Sequence, residues 1–420
     1  MATSRVLVVG TTSDYVQHIH AARPGRALFL TDSAHRAAAV EPAPDAASEV
    51  LAELCDHRAA TAAVHEHLAR HDQRLNGIAC YDCESLPLAA ELAQCFGLRF
   101  ASPQAVAACR NKHESKLRWR EAGVPCPSAR LVTDLEDVTS FRAATGPWTV
   151  MKPLTGSGSE LVFLCRSEAE CADALHALRV GLASHPNARM YPDCEGGIHA
   201  RRVFGAEEYI EGPEMSCDFA IRGGQVRIWR VAQKIKARQT AFGTTAGYEV
   251  PAPAPHGLAQ RLGEAAAALG LDNCVAMADY ILCEQRPVLL EMAPRVGGDC
   301  LPDVIRASSG LDTLTAALDF AAGEEPHVPH GRRWSRCLGV RFFAPAAGRV
   351  RRLDASPVLA ETSVVACVLK RRVGEVVQVP PADYDSWILG HAVLRLERHD
   401  DAELTCLRIA SLLQLEVAPE

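Results

Sequence analysis

Asp279 and Glu291 stand twelve residues apart in the stretch ADYILCEQRPVLLEMAPRVGGD. Each belongs to an apolar run that reads as a strand, and a hairpin between the runs would turn both carboxylates to one pocket. Hard oxygen ligands placed so could hold Mg2+ against phosphate oxygens. Arg295 follows four residues after Glu291 and offers a planar fork for a transferred phosphoryl group or an acyl phosphate. Gly297-Gly298 lets the chain turn tightly beside a ligand. A lone carboxylate of this kind is ordinarily a surface charge. Glu291 lies between an apolar strand and Pro-Arg-x-Gly-Gly, which argues for an inward role.

MKPLTGSGSE, Met151 to Glu160, is a second candidate. A lysine ending a strand, then a Gly/Ser loop, then a returning strand can fold over a polyphosphate. Lys152 would supply the point charge, while Gly156, Ser157, Gly158 and Ser159 would let backbone amides approach the oxygens. No Gly-Lys-Ser/Thr follows, so this is not a Walker loop, and by itself a hairpin turn would have the same composition. In the third segment, EEYIEGPEMSCDF, backbone groups around Glu208 and Ile210 could read an adenine edge. The Glu214 carboxylate could bind ribose hydroxyls, although an ordinary acidic turn would look similar.

These groups need a scaffold, and the periodicity supplies one. Val6–Val9, Ala27–Leu30 and Gly77–Cys80 read as buried parallel strands, with helices over 58–70 and 85–96. Ser102-Pro103 opens a helix and a second runs over 111–122. From 147 onward strands follow closely: Thr149–Lys152 with Leu161–Cys165, then Val203–Ile210, Met215–Ile221 and Val226–Val231 as one antiparallel set, then Val275–Cys283 with Val288–Met292. The stretch 181–202 reads as an exposed loop, and 257–269 as an alanine-rich helix. The expected class is α/β and α+β, with units at 1–108, 109–206, 207–328 and 329–420, the last rich in β-structure.

Composition bounds the partners. The net charge is 44 − 51 = −7, and no long run of one sign occurs, so neither nucleic acid nor an anionic membrane is expected. No apolar run approaches the roughly 20 residues that cross a bilayer, and the short apolar N-terminus reads as no secretory leader; the expected compartment is the cytoplasm. The cysteines read as small buried hydrophobes, with Cys80 and Cys83 packing a helix entry in an acidic setting. The pairs His18/His20 and His65/His67 read as solvated helix surface.

Taken together and in this order, the segments resemble the ATP-grasp superfamily. The likeness runs from RNKHESKLRWREAGVPCP (Arg110 to Pro127) to ASSGLD (Ala307 to Asp312), about half the chain. RCLGVRFFAPAAGRV (Arg336 to Val350) resembles the C-terminal β unit of the biotin carboxylase and L-amino acid ligase branch. The resemblance implies a nucleotide clamp: Lys112 and Lys152 as phosphate lysines, and Glu207, Glu208, Ile210 and Glu214 as hinge and ribose residues. It further implies Asp279 and Glu291 as Mg2+ carboxylates, with Mn2+ the alternative ion, and Arg295 beside the acyl phosphate. Lys234 falls where D-alanine–D-alanine ligases carry a further phosphate lysine, with Lys236 the other choice.

The implied activity is a carboxylate–amine ligase acting through an acyl phosphate on small-molecule substrates, with a homodimer suggested by analogy. One departure stands out: Ala293 occupies the place of the family's metal-ligating asparagine. It leaves open a carboxylase or non-amine ligase, and also a catalytically inactive nucleotide-binding regulator.

Overall fold

Strand–helix alternation at the N-terminus produces a four-stranded parallel sheet in the computed structural model, which describes residues 3–183, 185–195, 197–236, 242–329, 333–380 and 382–419. Its strands are β1 (Thr3–Val9), β2 (Ala27–Asp32), β3 (Glu49–Ala52) and β4 (Gln73–Cys80), in the order β3-β2-β1-β4. The sequence reading missed β3, whose four residues are too short to show a period. Leu7, Val9, Leu28 and Leu30 face one layer of helices while Val6, Val8 and Phe29 face the other, so both sheet faces are covered.

The helix Pro103–Arg110 starts where Ser102 accepts a hydrogen bond from the Ala105 amide. The next, Lys112–Glu121, is capped by Asn111, which accepts from the amides of His113 and Glu114. Its residue Trp119 is fully buried and donates to the Ala265 carbonyl at 3.0 Å, tying this helix to the helix Leu258–Leu269.

A second sheet carries the glycine-rich loop. It consists of β5 (Ala129–Val132), β6 (Thr149–Lys152) and β7 (Phe163–Cys165), and it closes with a later strand. Between them and that strand lie the helix Glu168–Ala183 and a two-stranded ribbon of β8 (Cys194–Glu195) and β9 (Ile198–His199). The stretch 181–202 therefore holds a helix end and a β-ribbon rather than being one exposed loop, with Tyr191 and Ala200 buried; Ser184 and Gly196 lie outside the described residues. The closing strand, β10 (Phe204–Glu208), pairs antiparallel with both β5 and β6, giving the order β5-β10-β6-β7. This corrects the expectation of a single antiparallel set: the bend at Gly212-Pro213 sends the following strands into another sheet.

That third sheet has eight strands. β11 (Glu214–Arg222), β12 (Gln225–Lys236), β13 (Thr245–Val250), β14 (Cys274–Cys283) and β15 (Arg286–Ala293) continue into the C-terminal segment. There β16 (Cys337–Phe343), β18 (Val364–Leu369) and β20 (Ile388–Arg395) complete the order β15-β14-β11-β12-β13-β16-β20-β18. A small sheet of β17 (Gly348–Asp354), β19 (Val376–Val377) and β21 (Gln414–Ala418) covers its end. No helix among the described residues is long and apolar enough to cross a membrane.

His65 is exposed, as the surface reading has it, but His67 and His18 depart from that reading. His67 is buried, with a ring nitrogen 3.2 Å from the Ala47 carbonyl, because its helix His57–Arg70 packs over the chain entering β3. His18 meets the Asp312 carboxylate at 2.6 Å.

Candidate active site

Antiparallel pairing places Asp279 of β14 directly opposite Glu291 of β15. Side chains alternate along a strand, so the same face of the sheet carries Glu214 from β11 and Lys234 and Lys236 from β12. Lys234 Nζ donates to Glu214 at 2.8 Å and makes a short contact with Asp279, while Lys236 meets the other oxygen of Glu214 at 3.1 Å. Of the two lysines, Lys234 reaches the acidic pair.

The parallel-sheet side and the glycine-rich hairpin supply the opposite wall. Lys152, at the end of β6, pairs with Glu207 Oε2 at 2.6 Å. Lys112, the first residue of its helix, donates to the Gly156 carbonyl at 2.6 Å. Both lysines also act on Glu291: although burial alone would raise its pKa, the summed field of Lys112, Lys234, Lys152 and Lys116 holds this carboxyl below its usual range. Asp279 moves the other way. Burial, together with the neighbouring Glu291 and Glu214 charges, pushes it up to about 6 against the pull of Lys234.

This pair fits a divalent cation. Asp279 Oδ1 is buried and has no hydrogen-bond partner, a free acceptor beside a second carboxylate. Among the described residues no group of three or more His, Cys, Asp or Glu side chains forms a complete cage. The protein thus offers two carboxylates, and an ion there would complete its shell from phosphate oxygens and water.

The loop between β6 and β7 is held over this floor. Gly156 and Gly158 have positive φ, and a Cβ on either would fall 2.7 Å from a tyrosine ring, Tyr191 and Tyr384 respectively. Glycine is required twice here, for conformation and for the close approach. Ser159 donates to the Gly243 carbonyl at 2.9 Å, Ser157 lies 4.0 Å from the Met190 sulfur, and Glu160 accepts from Tyr191 at 2.7 Å and lies 3.1 Å from a His185 ring nitrogen. In the hinge, Glu208 accepts from the Ser128 amide at 3.2 Å, and Ile210 is half-buried in the turn that leads from β10 to β11.

Arg295 lines a cleft that it shares with Lys112, Gly156, Ser157 and Glu291. Its Nε donates to Cys83 Sγ at 3.0 Å. Cys83 therefore faces the cleft instead of packing a helix entry, while Cys80 is buried. The turn after Arg295 is set from below: Asp218 and Arg230 form a fully buried pair at 2.7 Å, and Asp218 also accepts from the Gly297 amide at 2.9 Å.

Two parts of the site escaped the sequence reading. Lys116, one helical turn after Lys112, is buried and meets Glu207 Oε1 at 3.2 Å, and burial lowers its pKa to about 8. Its i, i+4 spacing from Lys112 was the available signal. The second part is a chain of polar contacts. Tyr248 lies across β12–β13 from Lys234, and its hydroxyl donates to Asp299 Oδ2 at 3.0 Å. Asp299 Oδ1 meets Arg341 at 3.3 Å, and Arg341 donates to Tyr384 at 3.3 Å. Since the Tyr384 ring lies against Gly158, the network links the acidic pair to the loop.

Comparison with known proteins agrees with this architecture. Residues 147–303 match a family model described as an ATP-grasp domain. Carnosine synthase 1 of Homo sapiens is 28% identical over 275 residues, covering 61% of this chain and 32% of that protein. Alanine–anticapsin ligase of Bacillus subtilis (strain 168) is 26% identical over 258 residues, covering 58% of this chain and 53% of that one. The chain thus spans about a third to a half of the length of these curated relatives. The solved structure of an L-amino acid ligase from Bacillus licheniformis superposes over 100% of both chains with a TM-score of 0.76 at 17% identity, a likeness of fold.

Proposed function

We propose that this chain, whose residues 147–303 form an ATP-grasp domain, is an ATP- and Mg2+-dependent ligase that activates a carboxylate as an acyl phosphate and passes it to an amine. The observation that carries the reading is the cross-strand pair Asp279–Glu291, charged opposite to the lysines gathered around it. The relatives add support, because the names of two of them, carnosine synthase and alanine–anticapsin ligase, describe synthetic enzymes.

In this reading Asp279 and Glu291 would hold Mg2+, which neutralises phosphate oxygens when bound. Lys112, Lys152 and Lys234 orient the phosphates of ATP, and Glu207, Glu208, Ile210 and Glu214 line the nucleoside end. A substrate carboxylate oxygen attacks the γ-phosphorus as the bond to the ADP oxygen breaks, and Arg295 offsets charge on the transferred group. The amine then attacks the acyl carbon, phosphate leaves, and the amine proton passes to solvent or product phosphate. The glycine-rich loop, held between Tyr191 and Tyr384, keeps water from the acyl phosphate.

The test is a phosphate-release screen of paired amino acids with ATP and Mg2+, followed by mass spectrometry of the products. ADP, phosphate and a new C–N bond are expected. Pyrophosphate as product would reject the scheme. Release that requires bicarbonate but no amine would mark a carboxylase, and nucleotide binding without release would mark a regulator.

A further inference from the structure

Ala293 stands two residues after Glu291, where the chain offers no metal-ligating oxygen. In the sheet it pairs with Met277, so an apolar rung lies immediately beside the acidic rung Asp279–Glu291. The register is regular over these residues, and alternation puts Met277 and Ala293 on the face that carries the two carboxylates. Both line the cleft that holds Arg295, where Leu86 and Met190 join them.

These four come from three separate parts of the chain. Leu86 opens the helix after β4, Met190 belongs to the segment following the helix Glu168–Ala183, and Met277 and Ala293 belong to the large sheet. The same cleft is bordered by Arg110, Lys112 and Arg295. Its lining therefore combines cations suited to a carboxylate or its phosphate with apolar side chains, of which Met277 and Ala293 stand beside the acidic rung.

We propose that the apolar part, Leu86, Met190, Met277 and Ala293, receives an aliphatic or aromatic side chain of the carboxylate substrate, so that the acid activated is an apolar one. The inference rests on the ligase reading and deepens it. A charged or hydroxylated side chain would shed water there against methionine and leucine with no partner, which disfavours it. Methionine is flexible and polarisable, so several apolar shapes fit the same space. Ala293 then has a positive role: its small size leaves room for substrate where a larger polar side chain would intrude.

Hydroxylamine trapping tests this on the full chain with Mg2+ and ATP, because it captures the acyl phosphate whatever amine is natural. Leucine, methionine and phenylalanine are compared with aspartate, lysine and serine as the acid. The apolar acids should give hydroxamate with kcat/KM at least about tenfold above the polar ones. Met277→Gln should lower kcat/KM for leucine by about ten- to a hundredfold through KM, with Mg2+·ADP affinity unchanged. Met190→Gln, on the other wall, guards against misfolding of the first variant and should act the same way. Equal or better turnover of the polar acids, or both variants keeping the wild-type preference, overturns the proposal while leaving the ligase reading intact. Hydroxamate from none of the acids counts against the ligase reading; thermal shifts with Mg2+·ADP then decide the pocket, which falls if leucine stabilises the chain no more than aspartate.

Discussion

Asp279 and Glu291 face each other across β14 and β15, yet their environments push their proton affinities in opposite directions. Glu291 lies in the field of four lysines, and Asp279 is buried with one oxygen unpartnered. Replacing Glu291 by alanine removes one of the two carboxylates proposed to hold the cation, without opening the hydrophobic core. Phosphate release should fall by at least about a hundredfold, and calorimetry should show weaker Mg2+·ADP binding. Wild-type Mg2+·ADP affinity in this variant would exclude Glu291 from the metal site.

The same pair sets a pH dependence. Asp279 has a folded-state pKa of about 6, above its ordinary value of 3.8, so between these values the folded chain holds a proton that the unfolded chain has lost. Stability from this group therefore declines as pH rises through that window, and a bound cation offsets the decline by favouring the ionised form. The rise in melting temperature on adding Mg2+·ADP should be large at pH 7 and shrink as pH falls through about 6. Asp279→Asn should flatten that dependence; an identical pH profile for the variant would assign the titration to another group.

Gly297 sits on the buried Asp218–Arg230 pair, where a Cβ would lie 2.4 Å from Arg230 Nη2. Gly297→Ala must move either the turn that carries Arg295 or an ion pair with no exposed surface. The expected cost is about 1–3 kcal/mol of stability, read by urea denaturation, together with a drop in kcat. Ala substitution at Gly298, the next residue of the turn, whose φ lies outside the left-handed region and where the nearest atoms to a Cβ are 4.0 Å away, is the comparison for the steric effect. Equal stability losses at both positions would mean that the contact with Arg230 does not matter.

Much of this site was legible because its chemistry is local in sequence. Lys152 with its glycine-rich loop, and Asp279 and Glu291 with their hairpin, are each encoded within a dozen or so residues, and strand periodicity gives their shared face. Pairing between distant segments was not legible. The run Phe204–Glu208 has the same alternation as β11 and β12, and nothing in its own residues says that it joins β5 and β6 instead. The network from Tyr248 through Asp299 and Arg341 to Tyr384 draws on four remote segments, so no spacing announces it. Lys116 was hidden by its type, since a lysine on a polar helix is ordinarily solvated.

Lys116 supplies the last prediction. Its ammonium lies between Glu207, on the β10 hinge, and the carbonyl of Leu290, the residue before Glu291, and it is almost fully buried. It therefore joins the β10 hinge to the backbone of the acidic pair. Lys116→Met keeps the stem and removes the charge, leaving Glu207 with Lys152 as its remaining partner. Breaking a buried pair from one side costs about 3 kcal/mol, and the retained Lys152 contact should hold the loss to that or less. Glu207→Gln strips both lysines of their counter-charge and should be as harmful or worse. If the two residues act as one unit, the double variant loses less than the sum of the singles in a denaturation cycle. Strict additivity would show that Lys116 and Glu207 contribute independently, and the link between hinge and acidic pair would have to run through Lys152 alone.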